Sequence, residues 1–179
     1  MIDTNQIIEK HYIPGTDLYQ LLMLHSHQVR DKALDVAARH PELGADTTFI
    51  AEAAMLHDIG IYLCNAPRIH CFGEHQYIEH GYLGADLLKN ENLDRHALVC
   101  ERHTGVGLSL SSIINRKLPL PHRDMRPSSI EEQIICYADK FYSKSDVHRT
   151  LSIDRIRTQL SHFGKENVLI FDQWHELFI

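Results

Sequence analysis

The sequence predicts an all-α protein. Apolar residues recur every three to four positions through most of the chain, and no segment alternates apolar and polar residues for long enough to demand a sheet. Asn, Asp, Gly and Pro separate these periodic segments, as they do between helices. The 179 residues, 44% of them apolar, contain no repeat and no Gly/Ser linker. We therefore expect one domain over residues 1–179, built as a helical bundle.

The chain begins with two predicted helices. A short helix over residues 4–12 ends before Pro14. Thr16 can then cap a long helix from Asp17 to about Arg39, because a threonine hydroxyl accepts a hydrogen bond from an unpaired amide of the first helical turn. The sequence PELG follows and ends this long helix.

The middle of the chain is predicted to hold four more helices. Asp46 caps a helix with the sequence FIAEAAMLH, which is followed by a loop over residues 60–73. The other three helices are expected over residues 76–90, 94–103 and 109–116.

The last third of the chain is predicted to hold three helices. The loop LPLPHRDMRP leads into a helix with the sequence IEEQIICYADKFYS. Its start offers two alternative capping boxes, Ser128 with Glu131 and Ser129 with Glu132. Two amphipathic helices over residues 152–163 and 165–178 follow. These last two carry no motif that indicates chemistry, so we expect them to pack against the core.

Composition excludes several functional classes. The formal charge of −6 argues against a general nucleic-acid surface. The amino terminus does not resemble a signal peptide, and no segment predicts a membrane span. The four cysteines form no CxxC pair, so we expect buried thiols in a cytoplasmic protein. The 14 histidines, against 18 lysines and arginines, indicate a metal site or an acid/base site.

Two histidines in the segment LHSHQV face different sides of the long helix. At roughly 100° per residue, His25 lies at the edge of the apolar stripe that contains Leu22, Val29 and Ala33, whereas His27 lies about 200° away from His25. His25 therefore points to the core and His27 to solvent or to a secondary contact. A lone histidine on an apolar face is more often a hydrogen-bonded core residue, so the assignment depends on the other motifs.

Two further motifs place acids beside the core. The segment AAMLHDIG puts His57 and Asp58 at the end of an apolar helix, where a buried carboxylate is costly unless it is paired or coordinated. A terminal histidine with a capping aspartate is the ordinary alternative. Asp139, in CYADK, follows the apolar face of another helix. Together with His25, these residues form a ligand set for one metal ion.

The three motifs resemble, in order and spacing, the H…HD…D signature of the HD superfamily of metal-dependent phosphohydrolases, in its HDIG variant. The first run of that family, HSxxVxxxA, begins here at His25 and not at His27. IEHGYLGADLL and CERHTGVGL resemble two further segments of HDIG proteins and nominate His80 and His103. The resemblance covers residues 20–143.

The resemblance implies an HD-domain fold, with a motif-bearing core over residues 17–145 and packing helices over residues 150–178. It also implies two divalent ions bridged by Asp58, which is then the central catalytic residue. Such a pair activates water and clamps a phosphoryl group. The implied ligands are His25, His57, Asp58 and Asp139 for one ion, and Asp58, His80 and His103 for the other. This nitrogen-rich set suits iron, manganese, nickel, cobalt or zinc better than magnesium, which stays a further possibility. The family resemblance favours iron or manganese among these.

The expected substrate is a small phosphorylated molecule, either a nucleotide or a dinucleotide polyphosphate, with no nucleic-acid or membrane partner. Lys140, Arg102 and Lys32 are the cations nearest to predicted ligands, although each could instead face solvent. The loops IHCFGEHQY and PHRDMR could line the rim of the site.

Two alternatives remain open. The first is a mixed-valent di-iron oxygenase, because a minority of HD proteins use such a centre with comparable ligands to cleave C–C or C–P bonds. The second is a nucleotide-sensing module with a structural metal, and the presence of all six predicted ligands counts against it.

Overall fold

The structure is a computed structural model that describes residues 2–179, and it is predominantly helical, which confirms the all-α prediction. Its helices are α1 (Thr4–Ile8), α2 (Asp17–Arg39), α3 (Thr47–Leu56), α4 (His80–Asn90), α5 (Asp94–Arg102), α6 (Leu110–Asn115), α7 (Ile130–Asp139), α8 (Ile153–Ser161) and α9 (Lys165–Phe178). None of the helices in these residues is long and apolar enough to cross a membrane.

Side-chain caps fix the starts of the central helices where the sequence predicted them. The Thr16 hydroxyl accepts a hydrogen bond from the Tyr19 amide at the start of α2, and a carboxylate oxygen of Asp46 accepts one from the Phe49 amide in α3. Of the two serines that could begin α7, Ser129 is the N-cap, because its hydroxyl accepts a hydrogen bond from the Glu132 amide. The Glu132 carboxylate accepts a hydrogen bond from the Ser128 amide and not from Ser129, so the predicted box does not form in full. Both predicted ends of α2 are confirmed.

Two short antiparallel hairpins were missed. Strands β1 (Asn65–Ala66) and β2 (Cys71–Phe72) pair within the predicted loop. Strands β3 (Tyr142–Ser143) and β4 (Asp146–Thr150) pair directly after α7, with a bulge in the register. The predicted helix IEEQIICYADKFYS therefore ends four residues early, at Asp139. The Ser and Asp residues of the following SKSD segment supply turn chemistry that competes with helix.

The first helix is also shorter than expected. It ends at Ile8, although residues up to 12 carry an apolar pattern. Tyr12 is nevertheless buried, and its hydroxyl donates a hydrogen bond to the Ile59 carbonyl oxygen. Tyr12 therefore packs in the core from an irregular turn, although the sequence pattern assigned it to a helix.

The hydrophobic core has two main parts. One lies among α1 to α5 and contains Leu22, Leu56 and Leu88, all fully buried. The other packs α8 and α9 against α2, α3 and α7, with Phe171 and Phe178 at its centre. The four cysteines are reduced and buried, as predicted.

Glycines allow α4 to approach the HDIG turn closely. A Cβ atom added to Gly60 would overlap the His80 carbonyl oxygen, and one added to Gly84 would lie 2.5 Å from the Cys100 sulfur and 2.9 Å from the Gly60 nitrogen. The HDIG turn, α4 and α5 can approach each other this closely only because Gly60 and Gly84 have no side chains. The close approach brings the first residue of α4, His80, next to the turn that carries Asp58.

Candidate metal centre

The six residues predicted as metal ligands converge in two overlapping groups. Within each group, one possible ligand atom from every residue lies within 4.8 Å of the others. Asp58 belongs to both groups. The groups are His25, His57, Asp58 and Asp139, and Asp58, His80 and His103. All six side chains are buried.

Helix ends carry most of this cluster. His57 and Asp58 follow the end of α3, His103 follows α5, and Asp139 is the last residue of α7. His25 instead lies in the middle of α2, where its Nε2 atom is 3.2 Å from Asp58 Oδ2 and 3.0 Å from Asp139 Oδ1. The packing of α2 against α3 and α7 therefore brings the central histidine of one helix to the ends of two others.

His27 belongs to neither group of the cluster, as its helical phase predicted. It lies two residues after His25 on α2 and is half-buried. Burial lowers the pKa of its imidazole, and the neighbouring Arg30 guanidinium lowers it further.

Three of the four histidines are oriented by a carbonyl three residues earlier. The Nδ1 atoms of His57, His80 and His103 lie 2.7, 2.5 and 2.7 Å from the carbonyl oxygens of Ala54, Tyr77 and Cys100 respectively. Only a protonated Nδ1 can donate to a carbonyl oxygen, so the lone pair of each neutral ring lies on Nε2. This is the arrangement by which outer-shell hydrogen bonds aim histidines at a metal ion.

The Nε2 atoms then face other acceptors. Those of His80 and His103 are 3.0 Å apart, and each lies within 3.4 Å of Asp58 Oδ1. Among the described residues, Asp58 Oδ1 and His57 Nε2 are buried without a hydrogen-bond partner. Acceptors that face each other in a buried site are costly unless a cation lies between them. The six residues therefore fit one or two metal ions.

The pKa values of the histidines in the cluster depend on the charges of their neighbours. Burial lowers the pKa of the His57 imidazole, but the Asp58 and Asp139 carboxylates outweigh burial and raise that pKa to about 9. Burial and the neighbouring His103 lower the pKa of His80 to about 3. The group around His57 therefore favours a bound cation, either a proton on His57 Nε2 or a metal ion in its place, whereas His80 stays neutral and keeps its lone pair for a ligand.

Two lysines contact the acids of the cluster. Lys140 Nζ lies 2.8 Å from Asp139 Oδ2 and donates to the His103 carbonyl oxygen at 3.1 Å. Lys144 Nζ lies 2.6 Å from Asp58 Oδ2. Burial would lower the pKa of each ammonium group, but its partner carboxylate raises that pKa instead. Both groups therefore stay charged.

Lys140 was predicted to lie near the site, but Lys144 was missed. The sequence placed a helix up to Ser143 and assigned nothing to the residue after it. The β3–β4 turn, and not a helix, carries Lys144 to Asp58. The SKSD turn signal at the end of the predicted helix is the feature that could have indicated this.

The other two predicted cations engage different partners. Arg102 donates to the Ser128 hydroxyl at 2.8 Å and pairs with Glu132 Oε2 at 3.0 Å. Lys32 places its ammonium group 3.9 Å from the centre of the Phe141 ring. The structure therefore does not bring Arg102 or Lys32 to the cluster, because each has a closer partner on α7 or directly after it.

The predicted rim loops also make local contacts. In one, His75 pairs with Glu79 at 3.3 Å. In the other, Arg123 pairs with Glu101, and Arg126 pairs with Asp124 at 2.6 Å.

A cleft of about 390 Å³ opens beside the cluster. Asp139, Lys140 and Lys144 lie on its inner side, and Tyr77 and Arg68 border it. Both of the last two helices contribute to the core, α8 through Ile156 and Leu160 and α9 through Phe171 and Phe178. Residues of α8 also form part of the wall of the cleft, which the sequence did not predict.

Comparison with protein families gives one match. The family model described as HD domain matches residues 22–143.

Several curated proteins are similar in sequence to this chain. Two of them, from Picrophilus torridus and Thermoplasma volcanium, are named tRNA (cytidine(56)-2′-O)-methyltransferase and are 34% and 32% identical over 145 and 123 residues. These matches cover 74% and 68% of this chain but only 37% and 32% of those proteins. An uncharacterized protein of Methanocaldococcus jannaschii is 34% identical over 107 residues, which is 59% of this chain and 56% of that protein. The chain thus spans between a third and somewhat over half of the length of these relatives.

Solved structures that share the fold include two of the HD domain of the L. monocytogenes phosphodiesterase PgpH, one of them in complex with cyclic-di-AMP. They superpose with TM-scores of 0.54 and 0.52, covering 96% and 97% of this chain and 92% and 95% of theirs. Sequence identity is 14% and 15%, so the similarity concerns the fold.

Proposed function

Since the chain belongs to the HD domain family, we propose that it is a metal-dependent phosphohydrolase that cleaves a phosphoester or phosphoanhydride bond of a small nucleotide. One observation carries the proposal. Two groups of buried nitrogen and oxygen acceptors share Asp58 beside two lysines, and this whole arrangement borders an open cleft.

The types of ligand atom in the two groups favour some metal ions over others. The first group offers two imidazoles and two carboxylates, and the second offers two imidazoles and the shared carboxylate of Asp58. Such a nitrogen-rich set suits iron or manganese better than magnesium. When bound, two ions of this kind supply a hydroxide at neutral pH and neutralise charge on a phosphoryl group.

The protein's own residues supply the rest of the chemistry. Asp58 has one carboxylate oxygen towards His80 and His103 and the other towards His25 and His57, so this one residue holds the two halves of the cluster together. Lys140 and Lys144 carry the positive charge that a phosphate needs as its leaving group departs.

The environment of these two lysines favours that role. Both ammonium groups are only slightly exposed, with side-chain exposures of 12% and 11%, so water screens their charges weakly. A phosphate in the adjoining cleft would therefore meet two poorly screened cations.

We do not infer methyltransferase activity for this chain from the two relatives with that name, because the matches cover only 37% and 32% of those proteins. Cyclic-di-AMP is bound in the PgpH structure. For this chain, a nucleotide substrate is part of our proposal. A mixed-valent di-iron oxygenase is a second candidate, since four imidazoles would suit iron in that chemistry too.

Metal analysis of protein purified without added metal, followed by a screen of phosphorylated compounds with and without oxygen, tests the proposal. We expect bound iron or manganese and hydrolysis that needs no oxygen. Asp58→Ala should lose metal and at least ~100-fold of kcat/KM, more than the loss of an outer-shell partner usually costs. Asp86→Ala, an exposed aspartate of α4, is the matched control and should keep both.

Full metal content and full activity in the Asp58→Ala variant would contradict the proposal. Strictly oxygen-dependent consumption of a compound that is not hydrolysed would instead favour the oxygenase.

A further inference from the structure

Helix α8 and Phe163, two residues after its end, form one side of the cleft beside the metal-ligand cluster. We call this surface the α8 wall, and its residues are Ile156, Gln159, Leu160 and Phe163. Ile156 and Leu160 are almost fully buried, so they fix the wall against the core. Gln159 and Phe163 are exposed, so their side chains are free to contact a ligand.

The position of Phe163 is supported by a neighbouring cation. The guanidinium group of Arg116 lies 5.3 Å from the centre of the Phe163 ring, which is within cation–π distance. The ring is 45% exposed and lies at the edge of the cleft. An aromatic ring that is held in place but open to solvent can stack on a flat ligand at low entropic cost.

The lining of the cleft combines cationic and apolar side chains. Lys140 and Lys144 make the part beside the cluster cationic, and Arg68 adds an exposed cation that forms no ion pair with the residues described. The α8 wall is apolar apart from Gln159, whose amide can both donate and accept hydrogen bonds. A complementary ligand therefore has a phosphate at one end and a flat, largely apolar group with a hydrogen-bonding edge at the other.

We propose that the α8 wall binds the base of a mononucleotide whose phosphate contacts Lys140 and Lys144. In this arrangement Phe163 contacts the face of the base, and Gln159 hydrogen-bonds to its edge. This inference rests on the proposed function and deepens it, because it assigns substrate specificity to α8.

Size favours one nucleoside over two. The cleft holds about 390 Å³, near the lower end of the roughly 300 to 1,000 Å³ that small-molecule sites span. A mononucleotide is therefore a better fit than the dinucleotide polyphosphate considered from the sequence.

Substitutions on the α8 wall test this assignment. Gln159→Ala and Phe163→Ala change exposed residues, and Gln173→Ala and Leu169→Ala are matched controls on α9, where both residues are exposed and neither borders the cleft. With manganese-loaded protein, kcat/KM is measured for the four ribonucleoside 5′-monophosphates, diadenosine tetraphosphate and glycerol 3-phosphate. Thermal unfolding checks that every variant is folded.

We expect each α8 variant to lose about tenfold in kcat/KM for the preferred mononucleotide, mainly through a higher KM, which corresponds to ~1.4 kcal/mol. Turnover of glycerol 3-phosphate should change less than twofold, because this compound has no base. The α9 controls should match the unsubstituted protein. Equal losses on both kinds of substrate, or no loss on either, would overturn the assignment of the α8 wall. A preference for diadenosine tetraphosphate over every mononucleotide would overturn the proposal that the ligand is a mononucleotide.

A binding measurement separates this inference from the proposed function. The ¹⁵N-labelled, manganese-free protein is titrated with each of the four mononucleotides and, separately, with inorganic phosphate. At least one mononucleotide should shift the amide signals of α8 in the unsubstituted protein but not in Phe163→Ala, whereas phosphate should leave α8 unchanged. If no phosphate compound is hydrolysed but these shifts occur, the proposed hydrolase fails and the base-binding wall stands. If hydrolysis occurs but no mononucleotide shifts α8, the wall fails and the hydrolase stands.

Discussion

Buried carboxylates occur in this bundle in two different environments. Glu131 and Glu132, at the start of α7, are paired with Arg95 at 3.3 Å and Arg102 at 3.0 Å. At the other end of the same helix, Asp139 belongs to a cluster in which histidine and carboxylate acceptors face each other. All three acids are less than 10% exposed, so burial alone does not distinguish them.

The partner of each carboxylate makes the difference. An arginine on a neighbouring helix supplies a permanent cation, so the pairs at the start of α7 are complete within the protein. His57 and His103, in the cluster around Asp58, donate their Nδ1 protons to backbone carbonyls and leave Nε2 as an acceptor. Asp139 also pairs with Lys140 at 2.8 Å, so a cationic partner does not by itself separate the two ends of α7. The histidine lone pairs that face the acids of the cluster indicate a site for an external cation, whereas the glutamates that face arginine form structural ion pairs.

The largest expected effect separates the two histidines of α2. His25→Gln should lose at least half of the bound metal and ~100-fold or more of kcat/KM, because His25 lies within 3.2 Å of both acids of its group. His27→Gln, two residues along the same helix, should change either quantity less than twofold. Metal analysis and steady-state kinetics measure the difference. Equal loss of metal from the two variants would remove the distinction.

Lys144 tests the cationic side of the cluster. Lys144→Met keeps most of the side-chain length but removes the charge beside Asp58, so kcat/KM should fall about 10- to 100-fold while the metal content stays constant. Lys89→Met, on the exposed surface of α4, is the matched control. Loss of the metal from the Lys144 variant would show that this lysine helps to organise the ligands instead of acting on the substrate.

A substitution of Glu132 tests the structural ion pairs at the start of α7. Glu132→Gln leaves the Arg102 guanidinium without its carboxylate, and we expect the free energy of unfolding to fall by about 1 to 2 kcal/mol. The loss is moderate because Arg102 is 20% exposed and can regain hydration. Urea denaturation measures the stability change, and metal content per folded molecule should stay the same. A large loss of metal without a loss of stability would contradict the contrast between the two ends of α7.

The smallest expected effect concerns His96 of α5, outside the cluster. Burial lowers the pKa of its imidazole, although Glu52 opposes this, so the folded protein favours the neutral ring. A pKa below its unfolded value of about 6.5 means that the stabilisation is complete above pH 6.5 and is lost as the pH falls. The unfolding free energy should therefore decrease less between pH 7 and pH 5 in His96→Gln than in the unsubstituted protein. Identical slopes would show that His96 does not contribute.

Local signals predicted much of the fold and the core of the candidate site. Thr16 and Asp46 cap the helices they were expected to cap, and Ser129 is one of the two caps that the sequence offered for α7, because capping depends on residues only a few positions apart. Helical phase placed His25 on the core side of α2 and His27 away from it, and the other motifs made His25 the predicted ligand. The family resemblance was needed for His80 and His103, because nothing in their own segments indicates that they meet Asp58.

Tertiary structure decided the features that depend on distant parts of the chain. Lys144 reaches Asp58 because a turn replaces the last part of a predicted helix, and Arg102 pairs with Glu132 because α5 packs against α7. The α8 wall borders the cleft only because α8 packs on the core next to the end of α7. Periodicity and capping are properties of short segments and are visible in the sequence. The partner of a charged side chain, and the surface that completes a cleft, depend on how separate segments pack together.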